Sequence, residues 1–550
     1  MKKNYKTIRM FVVLIALMTM KMSAQLNGLY TVNGGAPAST SNYTSFTALA
    51  ADLNSLGVSG PVTVNVVANS GPYLEQITFN QFTGISATNS VLINGNGNTL
   101  SFSSSSSTAP WTILMNGADY MAITNMTVNG TGTYAYPIML VGGADYNSFG
   151  TCRFAVPANA TSTSQIPVCI SGSNSSYSTF ANSGNYNTFT NCTMFSGYCA
   201  VSHFGYSGSP YNTDNKFISC NFTDWYLMSC YGYYAKNLTI SKCNISRPTR
   251  TTISTTYGMY AYYCQGSLFE KNRLFSLYDG SPGYTGTLYG QYLYYNPISG
   301  VGVQQNSFVN NIVNINNFNG FMYGTYTYYW NGNFDHNTVN IDMPGYNYTG
   351  TIYGFYGYGT AGTYPFNYRN NILTMNLGGS GYHYAFYCPI TSGFTMSNNN
   401  IINYRSIGTN SSTIDYHSYW NGSYYNQTQL LAAGANFGGS MVNPLYMNPT
   451  STISTNFLPT NVAMDNLGTP IGILQDNNSQ VRGTVPDIGA LEFLHTPCSG
   501  APPLTSVLTP TAIQCPSVVL NLGFASSYTT ANVGVQWMSS TTSSVGPFTA

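Results

Sequence analysis

A short pattern of apolar and polar positions recurs along most of the chain. In each copy an apolar residue is followed three positions later by Asn or Cys, and two positions after that by a second apolar residue. The Asn/Cys position falls at Cys152, Cys192, Cys220, Cys243, Asn272, Asn311, Asn337, Asn371 and Asn399, after a degenerate copy at Met126. The copies are about 30 residues apart on average, and a repeat of that length is typical of a solenoid.

Short runs rich in Tyr, Thr, Val, Ile and Phe separate these positions, and apolar and polar residues alternate within them. Alternation with a period of two predicts β-strands, and the Gly, Asn and Ser between the runs predict turns. In parallel coils equivalent residues lie about 4.8 Å apart, so a repeated Asn can hydrogen-bond to its own copy and to the turn backbone. Cys at the same position is a small residue that tolerates burial. The pattern therefore predicts an all-β fold, a right-handed parallel β-helix.

A tyrosine-rich phrase accompanies the later copies. It reads Tyr-Gly-x-Tyr-x-Tyr at Tyr257, Tyr289, Tyr323 and Tyr353, with a variant beginning at Gly381. If alternation runs unbroken from the glycine, one strand face carries Gly, Tyr and Tyr. The other face is then mixed and partly polar, and its members are Met259, Ala261, Gln291, Leu293, Thr325, Thr327, Phe355, Gly357, His383 and Ala385.

Two interpretations of this phrase remain open. A mixed, partly polar face suits solvent, which favours two tyrosine stacks inside the coil, with the glycines making room beside them. The alternative is an outward aromatic stripe on which sugar rings would stack. Tyrosine fits either setting, because it combines a large apolar ring with a polar tip.

A short amphipathic helix is predicted ahead of the first coil. Phe46, Leu49, Leu53 and Leu56 recur at helical spacing, and Gly57 follows the last of them. Such a helix would cover the open core of the first coil and protect an exposed strand edge.

These patterns divide the chain into five segments. Residues 1–24 are expected to be a signal peptide, 25–60 the N-terminal cap, 61–410 the coils and 411–495 a C-terminal closure. Residues 496–550 are expected to hold a linker and a partial immunoglobulin-like sandwich, because Cys515 precedes Trp537 in the order typical of that fold.

The low charge content and the N-terminal segment indicate where the protein is located and which classes of partner to expect. Charged residues are 6% of the chain, against roughly 25% in ordinary domains, so neither nucleic acid nor an anionic membrane is an expected partner. The N-terminus combines a basic start, the apolar stretch Met10–Met20 and small residues before Gln25, as secretory signals do. That stretch is too short to span a membrane. We therefore expect a secreted or cell-surface protein without a membrane span.

The eleven cysteines and five histidines do not point to a metal or a cofactor. There is no close Cys-x-x-Cys pair, and the histidines are scattered. The cysteines at the repeat position, Cys152 to Cys243, are expected to be stacked buried thiols rather than disulfides.

Two stretches carry a resemblance to known proteins. The order helix, Val-rich strand and Gly71-Pro-Tyr-Leu-Glu-Gln-Ile77 resembles the opening of the pectin-lyase-like superfamily and of secreted β-helix proteins from bacteria with type IX secretion. The stretch Asp487-Ile-Gly-Ala-Leu-Glu492 resembles the choice-of-anchor ending of such proteins. The resemblance implies a right-handed β-helix with a closed C-terminal end. It does not imply activity, because the motifs of pectin methylesterases and polygalacturonases do not match, apart from the common tripeptide Asn212-Thr-Asp214.

One charged strip is the candidate site. Lys242, Arg247, Arg250, Glu270, Lys271 and Arg273 fall on two consecutive predicted coils. Facing outward, they would bind an acidic polysaccharide, or in a lyase Lys242 or Lys271 would act as base while Arg273 neutralises a uronate, with calcium a possible cofactor. The simplest interpretation is a solvated face in which Glu270 offsets its basic neighbours.

Two functions from different classes therefore remain open. The favoured one is an exported, non-catalytic β-helix protein acting in adhesion or glycan contact, with an extracellular polysaccharide or a host or cell surface as partner. The alternative is a carbohydrate-active enzyme, a lyase of an acidic polysaccharide.

Overall fold

Three long parallel sheets wind around one continuous hydrophobic core in the computed structural model of the protein. The structure describes residues 24–205, 212–295, 305–359, 366–392, 394–396, 400–406, 414–436, 438–448, 452–493, 506–509 and 521–524. Within these residues the sheets contain 14, 12 and 13 strands, and each coil contributes one strand to each sheet in turn. The predicted right-handed parallel β-helix is confirmed.

Sheet 1 comprises β1 (Leu26–Val32), β2 (Asn42–Tyr43), β3 (Val58–Val66), β6 (Val91–Asn94), β9 (Met121–Thr124), β12 (Ser148–Gly150), β15 (Thr188–Thr190), β19 (Lys216–Ile218), β23 (Thr239–Ser241), β26 (Leu268–Glu270), β29 (Asn306–Val309), β32 (Gly332–Asp335), β35 (Phe366–Arg369) and β38 (Phe394–Met396). Sheet 2 comprises β4 (Tyr73–Leu74), β7 (Thr99–Phe102), β10 (Thr127–Gly130), β13 (Arg153–Ala155), β16 (Thr193–Phe195), β20 (Asn221–Thr223), β24 (Asn244–Ser246), β27 (Arg273–Phe275), β30 (Ile312–Ile315), β33 (Thr338–Met343), β36 (Ile372–Leu377) and β39 (Ile401–Ser406).

Sheet 3 comprises β5 (Ile77–Asn80), β8 (Trp111–Asn116), β11 (Tyr136–Val141), β14 (Val168–Ile170), β17 (Cys199–Phe204), β21 (Met228–Tyr233), β25 (Thr256–Tyr262), β28 (Thr287–Tyr294), β31 (Phe321–Tyr328), β34 (Ile352–Tyr358), β37 (Tyr382–Ile390), β40 (Ile414–Trp420) and β41 (Ser423–Tyr425). Smaller pairs are β18 (Asn212–Thr213) with β22 (Ala235–Lys236), and β42 (Ser506–Thr509) with β43 (Asn521–Phe524). The helices are α1 (Phe46–Leu56), α2 (Gln427–Ala432) and two 3₁₀ turns, Ser454–Phe457 and Val462–Met464.

A ladder of asparagines fixes the corner between sheets 1 and 2. The backbone N–H of Asn311 donates to Oδ1 of Asn337 at 2.9 Å, and that of Asn337 donates to Oδ1 of Asn371 at 2.8 Å. Each side-chain amide also donates backwards, as Asn337 Nδ2 does to the carbonyl of Phe308 at 2.9 Å. The ladder therefore satisfies buried backbone groups at a bend that no sheet hydrogen bond reaches.

The last predicted rung of this ladder is off by one residue. Asn371 donates its backbone N–H to Asn400, and Asn400 donates in turn to Asn436. The predicted residue, Asn399, lies outside the described residues. Three consecutive asparagines at 398–400 made the choice ambiguous, and the register of Leu373 with Ile402 resolves it.

In the earlier coils cysteine replaces asparagine and makes one of its two kinds of hydrogen bond, the donation to the preceding coil. The Sγ atoms of Cys152, Cys192, Cys220 and Cys243 donate to carbonyls one coil back, at 3.3–3.4 Å. These are the carbonyls at the position that Nδ2 reaches in the later coils. All four cysteines are buried free thiols, as predicted.

The predicted N-terminal cap is present. Ser45 caps α1 by accepting from Ala48 N, and Gly57 ends the helix with a positive φ of 73°. Phe46, Leu49 and Leu53 are buried in the main core. The cap also contains β1, which adds a strand to sheet 1 beside β3.

The predicted C-terminal closure divides into two parts. At the end of the coils, β41 turns back antiparallel to β40, and α2 buries Leu430 in the main core. Residues 440–448 and 452–493, here together called the strap, instead run back along the outside of the coils. There they cover outward apolar residues of sheet 2, with Ile372 and Ile401 packing on Met464 and Ile488.

The remaining predicted segments lie largely outside the described residues. Residues 1–23 of the predicted signal peptide are among them, and so are 494–505, 510–520 and 525–550. The antiparallel pairing of β42 with β43 is what the structure describes of the C-terminal region. The immunoglobulin-like sandwich stays a prediction.

Replacing Asn337 by Ala should lower the free energy of unfolding by about 2–4 kcal/mol, because the buried N–H of Asn311 and the buried carbonyl of Phe308, both on the preceding coil, lose their partners. Asn337→Cys should lower it less, since a thiol retains the backward donation. Asn367→Ala is the matched control, because Asn367 bonds a single outward copy, Asn333, and water can replace that bond. Denaturant unfolding measures all three, and equal losses for Asn337→Ala and Asn367→Ala would contradict the ladder's role.

Candidate functional site

The tyrosine phrase lies on sheet 3, and its tyrosines point outward. In β28, Tyr289, Tyr292 and Tyr294 are partly exposed, whereas Leu288 and Leu293 are buried. The set predicted to face solvent is the buried one, including Gln291, Thr325 and His383, each at 0% exposure. The interior placement of the tyrosines is therefore wrong, and the alternative of an outward stripe is correct in direction.

A break in the alternation explains the error. In β25 both Gly258 and Met259 are buried, so that Tyr257 and Tyr260 share the outward face although three positions separate them. A Cβ at Gly258 would collide with the carbonyl of Gly290, so only glycine fits. A Tyr-x-x-Tyr spacing repeated from strand to strand is itself a sign of such a break, since a regular strand face has even spacing.

Some polar residues in the interior find hydrogen-bond partners on the neighbouring coil. The side-chain oxygen of Gln291 accepts a hydrogen bond from Thr325 Oγ1 at 2.7 Å, one coil away. Stacking lets buried polar residues of neighbouring coils bond each other. Polarity alone therefore did not reveal the solvent face.

The outward tyrosines form three columns along the solenoid, here called the tyrosine face. Column 1 is Tyr257, Tyr289, Tyr323, Tyr353, Tyr384 and Tyr416; column 2 is Tyr260, Tyr292, Tyr326, Tyr356, Tyr387 and Tyr419; column 3 is Tyr233, Tyr262, Tyr294, Tyr328 and Tyr358. Within each column successive ring centroids are 4.7–5.3 Å apart, and the ring planes agree within 14°. The last rung, Tyr416 and Tyr419, was not predicted, although it has the same spacing of three.

The rings within each column are inclined and partly overlap. Parallel rings touch at about 3.5 Å, so centroids one coil apart require the rings to lean by roughly 45° from the solenoid axis. Columns 1 and 2 lean differently, and their rings meet edge to face at 73–90° with centroids 5.0–5.4 Å apart. Stacking therefore covers most of each ring face, so that the columns do not present whole ring faces, and Tyr260 and Tyr384 are only 9% and 7% exposed.

The tyrosine face is electrically neutral over most of its area. The strands β25, β28, β31, β34 and β37 contain no Asp, Glu, Lys or Arg. Burial raises the pKa of Tyr353 and of Tyr356 to about 12, with neighbouring tyrosines adding to the effect. The hydroxyls are therefore protonated at physiological pH, and each can both donate and accept a hydrogen bond.

The predicted basic strip does not form a single exposed surface, because two of its arginines are buried. Arg250 is 1% exposed and donates at 2.7 Å to each of three carbonyls, those of Thr252, Asp224 and Ala160. Arg247 is fully buried, donates to the carbonyls of Leu277 and Tyr226, and lies over the Tyr278 ring at 4.9 Å. Both guanidinium groups hold irregular backbone between sheets 2 and 3.

The other members of the strip are spread along the opposite corner. Lys242 and Lys271 occupy the same turn of consecutive coils, as predicted, and both have positive φ. Lys242 is exposed, and Glu270 accepts from Ser241 Oγ at 2.8 Å. Arg273 points outward on sheet 2 and donates to Oδ1 of Asn244 at 2.7 Å.

The strap covers Lys271. This lysine is 7% exposed, and its Nζ donates to Gln475 Oε1 at 3.0 Å and to Ser479 Oγ at 3.3 Å. Burial is the main cause that lowers the pKa of Lys271. Beside it, strap and coil enclose a cleft of 630 Å³ that is also lined by Glu270 and Leu474.

The charged residues of the strap serve its own folding. Arg482 pairs with Glu492 at 2.9 Å, and Asp487 accepts from the backbone N–H groups of Asn466 and Phe493, each at 2.7 Å. Asp476 caps the turn by accepting from Gln480 N and Glu492 N. These contacts are ion-paired and turn-forming.

Among the described residues, no group of three or more His, Cys, Asp or Glu is arranged to hold a metal ion. None of the helices in that part of the chain is long and apolar enough to cross a membrane.

Comparisons with known proteins identify similar folds. No family model matches the chain, and no curated protein matches it. Among solved structures it is similar to a pectate lyase, with 14% identity and a TM-score of 0.34 over 86% of this chain and 97% of that chain. It is also similar to a pectin methylesterase mutant in complex with a hexasaccharide, with 11% identity and a TM-score of 0.23 over 79% of this chain and 98% of that chain. Neither similarity bears on activity.

Arg250→Ala should lower the free energy of unfolding by about 3 kcal/mol, because three carbonyls lose a charged donor inside the protein. Lys242→Ala, one turn away and exposed, should change it by less than about 0.5 kcal/mol. Denaturant unfolding of the two variants makes the comparison. An Arg250→Ala protein as stable as the Lys242→Ala protein would show that the guanidinium does not hold the fold.

Acid should loosen the strap. His336 is buried beneath it, its Nε2 contacts Asn370 Nδ2 at 3.0 Å, and the same amide donates to the strap carbonyl of Thr469. Burial, with nearby Arg482 adding to it, holds the pKa of His336 well below its ordinary 6.5. The unfolded strap state therefore binds a proton that the folded state does not, so stability is full above pH ~6.5 and falls as the pH drops below it.

Hydrogen exchange of strap amides, corrected for intrinsic rates, measures this effect. Protection of the strap should fall between neutral pH and pH ~5, while amides of β3 in the same sample serve as an internal control. His336→Gln should flatten the dependence. Identical pH dependence in the variant and the wild type would contradict a role for His336.

Proposed function

We propose that the protein is an exported, non-catalytic β-helix module that contacts neutral glycans through the tyrosine face. The observation that carries this proposal is the outward, in-register placement of three tyrosine columns on one sheet. A solenoid needs its inward residues for stability, whereas these rings point away from the core, and most of them are partly exposed, Tyr260 and Tyr384 being buried.

The chemistry of the face suits sugars. A pyranose ring presents apolar C–H groups on its faces and hydroxyls around its rim, and tyrosine offers a complementary apolar surface with a polar tip. Each ring is held by its copies above and below, so little side-chain freedom is lost on binding. Such pre-organisation favours the binding of a sugar chain through many weak contacts at once.

The electrostatics favour a neutral partner over an anionic one. Binding of acidic polymers depends on Lys and Arg, and these residue types are absent from β25, β28, β31, β34 and β37. Protonated hydroxyls neither repel nor attract a charged polymer strongly. The partner we propose is therefore an uncharged extracellular polysaccharide.

The non-catalytic part of the proposal has its own support. Glycoside hydrolysis requires two carboxyl groups across the scissile bond, and those same five strands supply none. The alternative, a lyase of an acidic polysaccharide, lacks comparable support, because Lys271 lies under the strap with two hydrogen-bond partners.

Secretion or display at the cell surface is also part of the proposal. It rests on residues 1–24, with their basic start and apolar stretch. An exported protein with few charges would meet polysaccharides rather than nucleic acids or cytoplasmic partners.

Replacing Tyr292 and Tyr326 together by Ala should weaken retention on insoluble neutral polysaccharides about tenfold or more, because two central contacts of roughly 1 kcal/mol each disappear. Tyr146→Ala is the matched control, since Tyr146 is exposed and stacked on Tyr186 at 4.6 Å at a different corner. Affinity electrophoresis in polysaccharide-containing gels measures retention. Circular dichroism of both variants should show an intact β-helix.

The proposal fails if the wild-type protein is not retained by any neutral polysaccharide. It also fails if the double variant is retained as strongly as the Tyr146→Ala control. Release of unsaturated products from an acidic polysaccharide, abolished by Lys271→Ala, would instead favour the lyase.

A further inference from the structure

The spacing of the tyrosine face carries information about its ligand. Parallel strands in register place each tyrosine over its copy, so equivalent hydroxyls recur at the strand spacing of about 4.8 Å. Observed centroid spacings in columns 1 to 3 stay within 4.7–5.3 Å over every rung. The face is thus a regular array of tyrosines with one repeat per coil, here called the comb.

An extended β-1,4-linked sugar chain has nearly the same repeat. Its equatorial linkages keep the chain straight, and each sugar advances it by a distance close to the strand spacing. An α-1,4-linked chain curves, so that successive sugars turn away from a flat surface. A straight chain laid along the comb would therefore bring each sugar unit to one rung of tyrosines.

We propose that the ligand of the tyrosine face is a neutral, extended β-1,4-linked polysaccharide whose chain runs parallel to the solenoid axis. This inference rests on the proposed function and adds the linkage, the direction and the length of the bound segment. Glucans, mannans and chitin share this chemistry.

The dimensions of the tyrosine face determine the direction in which the sugar chain binds. Column 1 has six rungs and extends for roughly 24 Å along the axis at the ordinary strand spacing. The three columns together extend for only about 17 Å across it, the length of five strand residues. Across the face the ring orientation also changes between columns 1 and 2, from one lean to the other. The repeat that a regular polymer can match exists only along the axis.

The two ends of the tyrosine face determine the length of the bound sugar segment. At the N-terminal end, column 1 stops because Tyr257 pairs with Met228, and in column 2 Tyr231 turns its edge to Tyr260 at 73°. At the C-terminal end, β41 returns antiparallel and Tyr424 stacks on Tyr416 at 4.1 Å. The comb therefore has six complete rungs in columns 1 and 2, which corresponds to about six sugar units.

The test is the length dependence of oligosaccharide affinity for the full chain. Soluble β-1,4-linked manno-, cello- and chito-oligosaccharides, from dimer to octamer, are titrated by calorimetry. We expect affinity to rise with each added sugar up to about the hexamer and then to level off. Malto-oligosaccharides of the same lengths, which are α-1,4-linked, should bind weakly and without this trend.

Two variants locate the bound chain. Tyr326→Ala, in the middle of column 2, should divide the comb and weaken the hexamer by about tenfold or more while leaving the dimer nearly unchanged. Tyr419→Ala, at the last rung, should remove only the final increment, so that the hexamer binds like the pentamer. Tyr326→Phe preserves the ring stack and separates the contribution of the hydroxyl from that of the ring.

The outcomes distinguish the two proposals. Binding of neutral glycans that is independent of linkage, or that stops growing at the dimer, would overturn this inference and leave the proposed function standing. Equal effects of Tyr326→Ala and Tyr419→Ala on the hexamer would overturn the axial direction. The absence of any neutral-glycan binding would overturn both.

Discussion

The in-register hydrogen bonding between parallel strands is the constraint on which the rest of this structure depends. It places each residue over its copy in the next coil, so that a single favourable side chain becomes a column. Asparagine copies become the ladder through Asn337, buried polar residues become bonded pairs such as Gln291 with Thr325, and tyrosines become stacks. Interior, corners and outer face are thus products of one translation of roughly 4.8 Å.

The sequence was sufficient to predict the features that this translation repeats. The interval between Asn and Cys positions predicts the coils, and the rungs from Cys152 to Asn371 lie where the pattern puts them. The cap α1 was predictable for a different reason, since helical spacing and a terminal glycine are local signals. The one ladder error, Asn399 for Asn400, arose where three identical residues in a row left the register undefined.

Features that break the translation could not be predicted in this way. The two consecutive inward residues Gly258 and Met259 shift the alternation, and everything after them in the strand changes face. The strap depends on contacts across more than a hundred residues of sequence, such as that between Lys271 and Gln475. No local pattern announces that a segment near residue 475 will cover a lysine that otherwise belongs to an exposed corner.

The distribution of charge follows from the same division. Regular coils satisfy their backbone through the ladder and need no ions, whereas irregular segments leave carbonyls that only strong donors can reach. Arg250 bonds three such carbonyls, and Arg482 bonds those of Asp487 and Gly489 within the strap. In a chain with 6% charged residues, Arg247, Arg250 and Arg482 are committed to holding these segments. Under the proposed function, recognition on the regular coils is then left to uncharged groups, and the tyrosine columns supply them because every coil repeats the last.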